Sequence, residues 1–181
     1  MRAHAAQPKP AKKYNVGVTQ WIVRAAAEGE IDDLAKLWYD AWHDAHAQIV
    51  PGELTRLRTL ESFRNRIQAA SPKIRVVGSS GAPVGSCIVK DDQLYQLFVS
   101  AEFRGSGVAF ALIADAEARL SESGVEIAWL ACAIGNERAA RFYEKCGWYR
   151  TGTMVDNVET SDGSFLLEVW RYEKSLTRPA R

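Results

Sequence analysis

The sequence predicts an α/β fold of the mixed, α+β kind, with about seven strands in a twisted sheet and four main helices. Three observations predict it. Short β-prone runs alternate with amphipathic helical segments. One strand–turn–helix–strand unit requires two parallel strands in an otherwise antiparallel sheet. The length of 181 residues, 47% of them hydrophobic, allows a substantial core and suits one domain rather than two.

The first half of the chain predicts a strand, two helices and three further strands. Trp21–Arg24 is β-prone, and apolar residues at helical spacing predict helices over about 31–45 and 57–70. Ser71-Pro72 should end the second helix. Three runs separated by turn residues then predict an antiparallel meander. These runs cover residues 74–77, 84–90 and 94–99.

The second half predicts a helix, a strand, a second helix and two closing strands. The helix over 107–123 ends at Gly124, a typical C-terminal glycine. The apolar run 126–133 follows it, and should lie parallel to the strand at 94–99. The last elements are a helix over about 137–146 and strands over about 148–155 and 165–171.

The termini differ in composition from the domain at residues 20–174. Residues 1–19 are rich in Ala, Pro and Lys with no acidic residue, which predicts a flexible basic arm. Residues 175–181 predict a loose tail.

Charge and cysteine content exclude several classes of function. The 23 basic and 22 acidic side chains nearly cancel, so neither a nucleic-acid nor a membrane partner is expected. No apolar run approaches the roughly 20 residues that span a bilayer, and the N-terminus lacks a secretory pattern. We expect a cytoplasmic protein. Cys87, Cys132 and Cys146 show no metal-binding spacing, so no metal is expected.

The segment Arg104-Gly105-Ser106-Gly107-Val108-Ala109 directly follows a predicted strand and opens a helix. Its glycines allow close backbone approach, and the N–H groups of a first helical turn attract anions. The segment has neither the Lys-Ser/Thr of a Walker loop nor the GxGxxG spacing. By itself it predicts an anion site or an ordinary tight turn.

Two linked segments resemble the GNAT superfamily of N-acetyltransferases. In the stretch from Leu97 to Ala109, the family's coenzyme A motif is matched by Arg104, Gly107 and Ala109. The stretch from Asn136 to Trp148 is similar to its second signature, an Asn followed by a helix ending in Phe-Tyr-Glu-Lys and then Gly and an aromatic. The resemblance covers about residues 20–172.

This resemblance implies a sheet that splays open between its fourth and fifth strands, 94–99 and 127–133, with acetyl-CoA as the cofactor in the opening. It implies that Tyr143 is catalytic, because that tyrosine lies beside the cofactor sulfur and can donate a proton to it. The implied cofactor-binding residues are Leu97, Phe98, Val99, Arg104, Gly105, Ser106, Gly107, Val108, Ala109 and Asn136.

The general base stays open, because the strand at 94–99 has no carboxylate where many relatives have a glutamate. Asp92, Tyr95, Gln96 and His46 are the candidates for a water relay or a substrate contact. For each of these residues, the alternative is a purely structural or solvent-facing role.

The acceptor pocket is implied to involve about residues 32–70 and the last strands. Its candidate residues are Trp38, Trp42, His46, Tyr95 and Gln96, although Trp38 and Trp42, at i and i+4, also suit core packing. The expected activity is acetyl transfer to an amine of a small molecule or peptide by direct attack. The alternative is a catalytically inactive regulatory or interaction domain that binds coenzyme A. A homodimer is compatible with either.

Overall fold

The computed structural model describes residues 21–177, so the predicted arm at residues 1–19 and the end of the predicted tail, 178–181, lie outside the described residues. Seven strands form one mixed sheet in the order β1-β2-β3-β4-β5-β7-β6. They are β1 (Val23–Ala25), β2 (Ile74–Ser79), β3 (Ala82–Lys90), β4 (Gln93–Val99), β5 (Ile127–Ala133), β6 (Tyr149–Thr160) and β7 (Gly163–Ser175).

Five α-helices pack on this sheet. They are α1 (Ile31–His46), α2 (Gly52–Leu57), α3 (Leu60–Ala70), α4 (Val108–Glu122) and α5 (Glu137–Lys145). Within the described part of the chain, β4 and β5 are the parallel pair and all other neighbours are antiparallel. The predicted fold class is therefore confirmed. None of the helices that residues 21–177 form is long and apolar enough to cross a membrane.

The segment between the first two predicted helices contains one helix more than the four main ones expected. Helix α2 has only six residues and begins after Pro51, so it is too short to show helical periodicity in the sequence. The helix predicted from residue 57 begins instead at Leu60. Thr59 caps it, because its side chain accepts a hydrogen bond from the Ser62 N–H at 3.2 Å.

The last two strands are longer than predicted. Asp156 and Asn157 suggest a turn by composition, yet they pair with Leu167 and Leu166 in a continuous hairpin. Strand β5 pairs only with residues 169–175 of β7, so the far half of the hairpin extends beyond β5. At its other end β7 reaches Ser175, inside the segment predicted as a tail.

Alternating side chains along the strands fill two cores, one on each face of the sheet. Val77 and Cys87 belong to the core under α4 and α5, whereas Val76 and Ile88 belong to the core under α1 and α3. Gly85 brings α4 close to the sheet, since an added Cβ would lie 2.6 Å from Val108 Cγ1. This close approach positions the start of α4 beside the end of β4.

An ion pair ties the first strand to the β2–β3 turn. Glu30 is 1% exposed and accepts hydrogen bonds from Arg24 at 2.6 and 2.7 Å, from the Ala27 N–H at 2.7 Å and from the Gly81 N–H at 3.1 Å. The Arg24 bonds lower the pKa of Glu30 from 4.5 to about 2, against the opposing effect of burial. The ionised carboxylate thus holds β1 and the β2–β3 turn together.

Replacing Glu30 with glutamine is expected to reduce the free energy of unfolding by about 2 kcal/mol at neutral pH. The folded-state pKa lies below the ordinary value, so the contribution is complete above pH 4.5 and disappears as the pH falls through about 2. Urea unfolding at several pH values measures it. The exposed Glu28 in the same turn provides the control Glu28→Gln, and an equal loss in both variants would contradict the role of Glu30.

Candidate active site

The two parallel strands meet at one end only. Gln93 of β4 pairs with Trp129 of β5, and no other pair joins the two strands in the described structure. Asp92 fixes this end, because its carbonyl accepts from the Trp129 N–H at 3.2 Å and its carboxylate accepts from Trp129 Nε1–H at 2.9 Å. Beyond this point the strands diverge and leave backbone groups unpaired along both edges. The predicted splay is observed.

A cavity of about 580 Å³ occupies the divergence. We call it the loop cavity, because the segment 104–109 forms one of its walls. Leu97–Val99 of β4 and Ala131–Ala133 of β5 face it from opposite sides, and Asn136 and Tyr143 border it at α5. All the residues that the resemblance assigned to the cofactor, except Val108, line this one cavity.

The loop has the backbone geometry of an anion site. Gly105 and Gly107 have φ angles of 76° and 94°, in the left-handed region that favours glycine, and Gly107 caps α4. The N–H groups of the first turn of α4 have no acceptor within the helix. The side chain of Val108 is fully buried in the core, so this residue offers only its backbone to the cavity. Trp21 fastens the loop, with Nε1–H donating to the Ser106 carbonyl at 2.8 Å.

Two arginines at the loop cavity share one carboxylate. Asp44 on α1 accepts from Arg104 at 2.7 Å and from Arg138 at 2.9 Å. Both hydrogen bonds lower the pKa of Asp44 below its usual value, and the bond from Arg138 has the larger effect. The site therefore has two guanidinium groups beside the helix N-terminus, which is suited to phosphate groups.

Tyr143 places a protonated hydroxyl at the loop cavity. Burial raises the pKa of this phenol far above its usual value, so it remains a hydrogen-bond donor at neutral pH. Burial also raises the pKa of the neighbouring Cys132 to about 12. A thiol with this pKa is almost entirely un-ionised at neutral pH, so it is a poor nucleophile.

Asn136 begins helix α5. Its side-chain oxygen accepts a hydrogen bond from the Ala139 N–H at 3.2 Å, so it caps the helix while lining the loop cavity. The cap explains an asparagine at this position without any ligand. The predicted cofactor contact of Asn136 stays a prediction.

A second cavity, of about 200 Å³, lies on the other side of the splay. We call it the strand cavity, because β4 and the far half of β6 border it. Three residues line both cavities, namely His46, Ala131 and Ala133, so the two spaces meet there. Trp42, Tyr95 and Gln96 also line the strand cavity, and their predicted contact with the acceptor stays a prediction.

His46 is a neutral acceptor at the junction. Its Nδ1 lies 3.0 Å from the Trp42 carbonyl, which only accepts, so the proton belongs on Nδ1 and Nε2 is left with a lone pair. Burial lowers the pKa of His46 to about 4, so the ring stays uncharged at neutral pH. The ring stacks on Trp42, with centroids 5.1 Å apart.

Two sequence-based candidates lie elsewhere. Trp38 was predicted to contact substrate, but it is 2% exposed and packs against Phe63 and Phe98, so that prediction is wrong. Asp92 lines neither of these two cavities and supports Trp129 instead.

The charged residues of the strand cavity were missed in the sequence. These are Arg58, Arg66, Lys90, Asp156 and Glu159. They come from three elements and the connection between α2 and α3, and charged residues scattered in this way suggest a solvated surface. The structure also describes no group of three or more His, Cys, Asp or Glu side chains within residues 21–177 that could hold a metal ion.

Comparison with known proteins identifies the family. Residues 31–148, more than half of the chain, match the model of the acetyltransferase (GNAT) family. No curated protein sequence matches the chain.

Solved structures share the fold. A GCN5-related N-acetyltransferase from Rhodopseudomonas palustris superposes with a TM-score of 0.66 and 18% identity, over 96% of this chain and 99% of that one. The PaiA N-acetyltransferase of Thermoplasma acidophilum, solved with coenzyme A, gives 0.58 and 17%, over 86% and 99%. The ribosomal-protein-alanine N-acetyltransferase of Brucella melitensis gives 0.59 and 22%, over 85% and 99%. The chain therefore belongs to the GNAT family of acetyltransferases, and acetyl-CoA is its cofactor.

Proposed function

We propose that this protein transfers an acetyl group from acetyl-CoA to an amine of a small molecule or peptide by direct attack. The observation that carries the proposal is the junction at His46, Ala131 and Ala133, where the loop cavity and the strand cavity meet inside the splay. A donor in the first cavity and an acceptor in the second would face each other there. The names of the structural neighbours, which specify N-acetyl transfer, support nitrogen as the target.

The loop cavity would hold acetyl-CoA along its length. The backbone at Arg104–Ala109 would bind the pyrophosphate, with Arg104 supplying charge and Asn136 a polar contact. The amides of the pantetheine arm would pair with Leu97 and Val99 at the open edge of β4 as a short additional strand. This arrangement uses the backbone groups that the splay leaves unpaired.

The same geometry supplies the groups that the reaction needs. The amine nitrogen would attack the thioester carbon, and a backbone N–H beside Phe98, that of Leu97 at the open edge of β4, would stabilise the negative oxygen that develops. The carbon–sulfur bond would then break, and the Tyr143 hydroxyl would give its proton to the departing sulfur. The amine loses one proton, through the free Nε2 of His46 or water, and solvent restores the tyrosine. The protonated Cys132 argues against an acetylated enzyme intermediate.

The proposal is tested by measuring thiol release from acetyl-CoA with a panel of amines, amino acids, polyamines and peptide N-termini. At least one acceptor is expected to release coenzyme A at a rate that saturates with acceptor, and the product is expected to be an N-acetylated amine by mass spectrometry. The control is the variant Gly107→Leu, in which we expect the cofactor loop to be disrupted.

Two results would oppose the proposal. Thiol release that persists in Gly107→Leu would show that the reaction does not depend on this site. Acetyl-CoA binding by calorimetry without thiol release for any acceptor would support the alternative, a regulatory domain that binds coenzyme A.

A further inference from the structure

The strand cavity contains charged groups that the proposed acetyl transfer does not use. Its cations are Arg58, Arg66 and Lys90, and its carboxylates are Asp156 and Glu159. A groove of about 520 Å³ continues on the other side and shares both arginines with the strand cavity. The arginines therefore stand between the groove and the junction with the loop cavity.

Arg58 is a buried cation that forms no direct ion pair within residues 21–177, and the Glu159 carboxylate acts on its charge only through space. It is 2% exposed, and its Nη1–H donates to the Glu159 carbonyl at 2.6 Å, a neutral acceptor. Its Nε–H is buried and has no hydrogen-bond partner within the described structure. Burial lowers the pKa of Arg58 only to about 10, so the group is charged at neutral pH. An uncompensated buried charge is costly, and an anionic ligand would compensate it.

Arg66 lies beside Arg58, is partly buried, and also forms no ion pair in the described residues. Its guanidinium lies 4.3 Å from the centre of the Trp38 ring, and its Nη2–H donates to the Tyr95 hydroxyl at 2.7 Å. The Arg66 Nε–H is also buried without a partner in the described residues. Arg66 is close enough to Arg58 to lower the pKa of that group by repulsion. Two neighbouring guanidinium groups that line one cavity match a carboxylate.

The carboxylates of the cavity act on these arginines through space and form no direct ion pair with either of them in the described residues. Glu159 is paired with Lys90 at 3.7 Å and accepts from the Tyr95 hydroxyl at 3.4 Å. Asp156 forms no ion pair within residues 21–177, and burial raises its pKa above the usual value. The cavity thus combines two unpaired cations with one unpaired carboxylate. That combination complements a zwitterion, with its anionic end on the arginines.

We propose that the acceptor is an amino carboxylate, an amino-acid-like molecule whose carboxylate is bound by Arg58 and Arg66 and whose amine faces the junction at His46. This inference rests on the proposed acetyl transfer and specifies its acceptor. The rest of the acceptor lies in the groove beyond the arginines.

Matched acceptor pairs test the proposal. Each common amino acid is compared with its carboxamide in the thiol-release assay with the wild-type protein. Loss of the carboxylate charge lowers the pKa of the neighbouring ammonium, so the amide has more neutral amine and is intrinsically more reactive at neutral pH. A preference for the acid must therefore come from the protein. We expect kcat/KM to be about 10- to 100-fold higher for the acid.

The variant Arg66→Gln tests the assigned group, because Arg66 is only partly buried and the substitution keeps a donor for Tyr95. KM for the acid is expected to rise about 10- to 100-fold, with KM for the amide unchanged. Arg64→Gln is the control, since Arg64 is on the same helix, pairs with Asp32 at 2.7 Å and lines neither cavity nor the groove. Arg58→Lys keeps the positive charge and removes the planar guanidinium group. It is also expected to raise KM for the acid.

The outcomes separate this inference from the proposed function. The proposal of an amino carboxylate acceptor would be wrong if amides turned over at least as fast as acids, or if Arg66→Gln affected acids and amides equally. Neither result would contradict acetyl transfer. If no acceptor turns over, calorimetry in saturating coenzyme A decides the binding site. Binding of acids and not of amides would then support the site while acetyl transfer fails, and binding of neither would overturn both.

Discussion

Replacing Gly107 with leucine is expected to weaken acetyl-CoA binding at least about 100-fold. Gly107 has a φ of 94°, a conformation that costs an L-residue about 1–2 kcal/mol. Its added Cβ would also lie 3.6 Å from Trp21 Cδ1, so the longer side chain presses on the indole that holds Ser106. The loop should relax and turn its N–H groups away from the pyrophosphate. Losing two hydrogen bonds to a charged group costs about 3 kcal/mol, and calorimetry with acetyl-CoA measures the loss.

Gly124→Leu is the matched control. Gly124 has a φ of 84° at the other end of α4, and no atom lies within 4 Å of its added Cβ. This variant has the same kind of backbone strain, so it should lose a similar amount of stability and keep its affinity for acetyl-CoA. An unchanged dissociation constant in Gly107→Leu would reject the assignment of the loop to the pyrophosphate.

Replacing Tyr143 with phenylalanine is expected to lower kcat by about 100-fold or more, with the acetyl-CoA dissociation constant changed by less than about twofold. The phenol is buried and its pKa is raised, so it stays protonated at assay pH and can serve as the donor to the departing sulfur. The substitution keeps the aromatic ring and removes the hydroxyl group that would donate the proton. Steady-state kinetics and calorimetry on one preparation separate the two effects.

Tyr172 supplies the comparison for this variant. Its ring centroid lies 6.0 Å from that of Tyr143, it is fully buried, and its hydroxyl donates to Glu144 at 3.2 Å. It lines neither the loop cavity nor the strand cavity. Tyr172→Phe should reduce stability by about 1 kcal/mol and leave kcat unchanged. Wild-type kcat in Tyr143→Phe would remove the acid assignment.

The loop and the tyrosine could be selected from the sequence as candidates that line one cavity, because their signals are local. The positive φ angles of Gly105 and Gly107 require glycine, and the turn directly precedes a helix, so residues within a few positions carry the signal. Tyr143 lies within one short signature. The arginines of the strand cavity have no such signal. Arg58 contacts Glu159, 101 positions further along the chain, and only the β6–β7 hairpin brings them together.

Trp38 and Trp42, both on α1, also show that sequence spacing does not decide which residue can contact a ligand. They lie on one face of α1, so helical spacing cannot distinguish them. Phe63 and Phe98 cover Trp38, whereas Trp42 lies one turn further along, where the splay opens the strand cavity. Which of the two can contact a ligand depends on packing between elements that are distant in the chain.

By itself, the sequence determined the order along the chain of the strands and of every α-helix except the six-residue α2, together with the family and the cofactor. Periodicity, turn residues and two short signatures act over a few neighbouring positions. Tertiary structure decided where β4 and β5 part, that the two cavities meet at His46, and that Arg58 and Arg66 share a wall. Those features depend on pairings between residues far apart in the chain, and a local pattern is the same whether or not such a pairing forms.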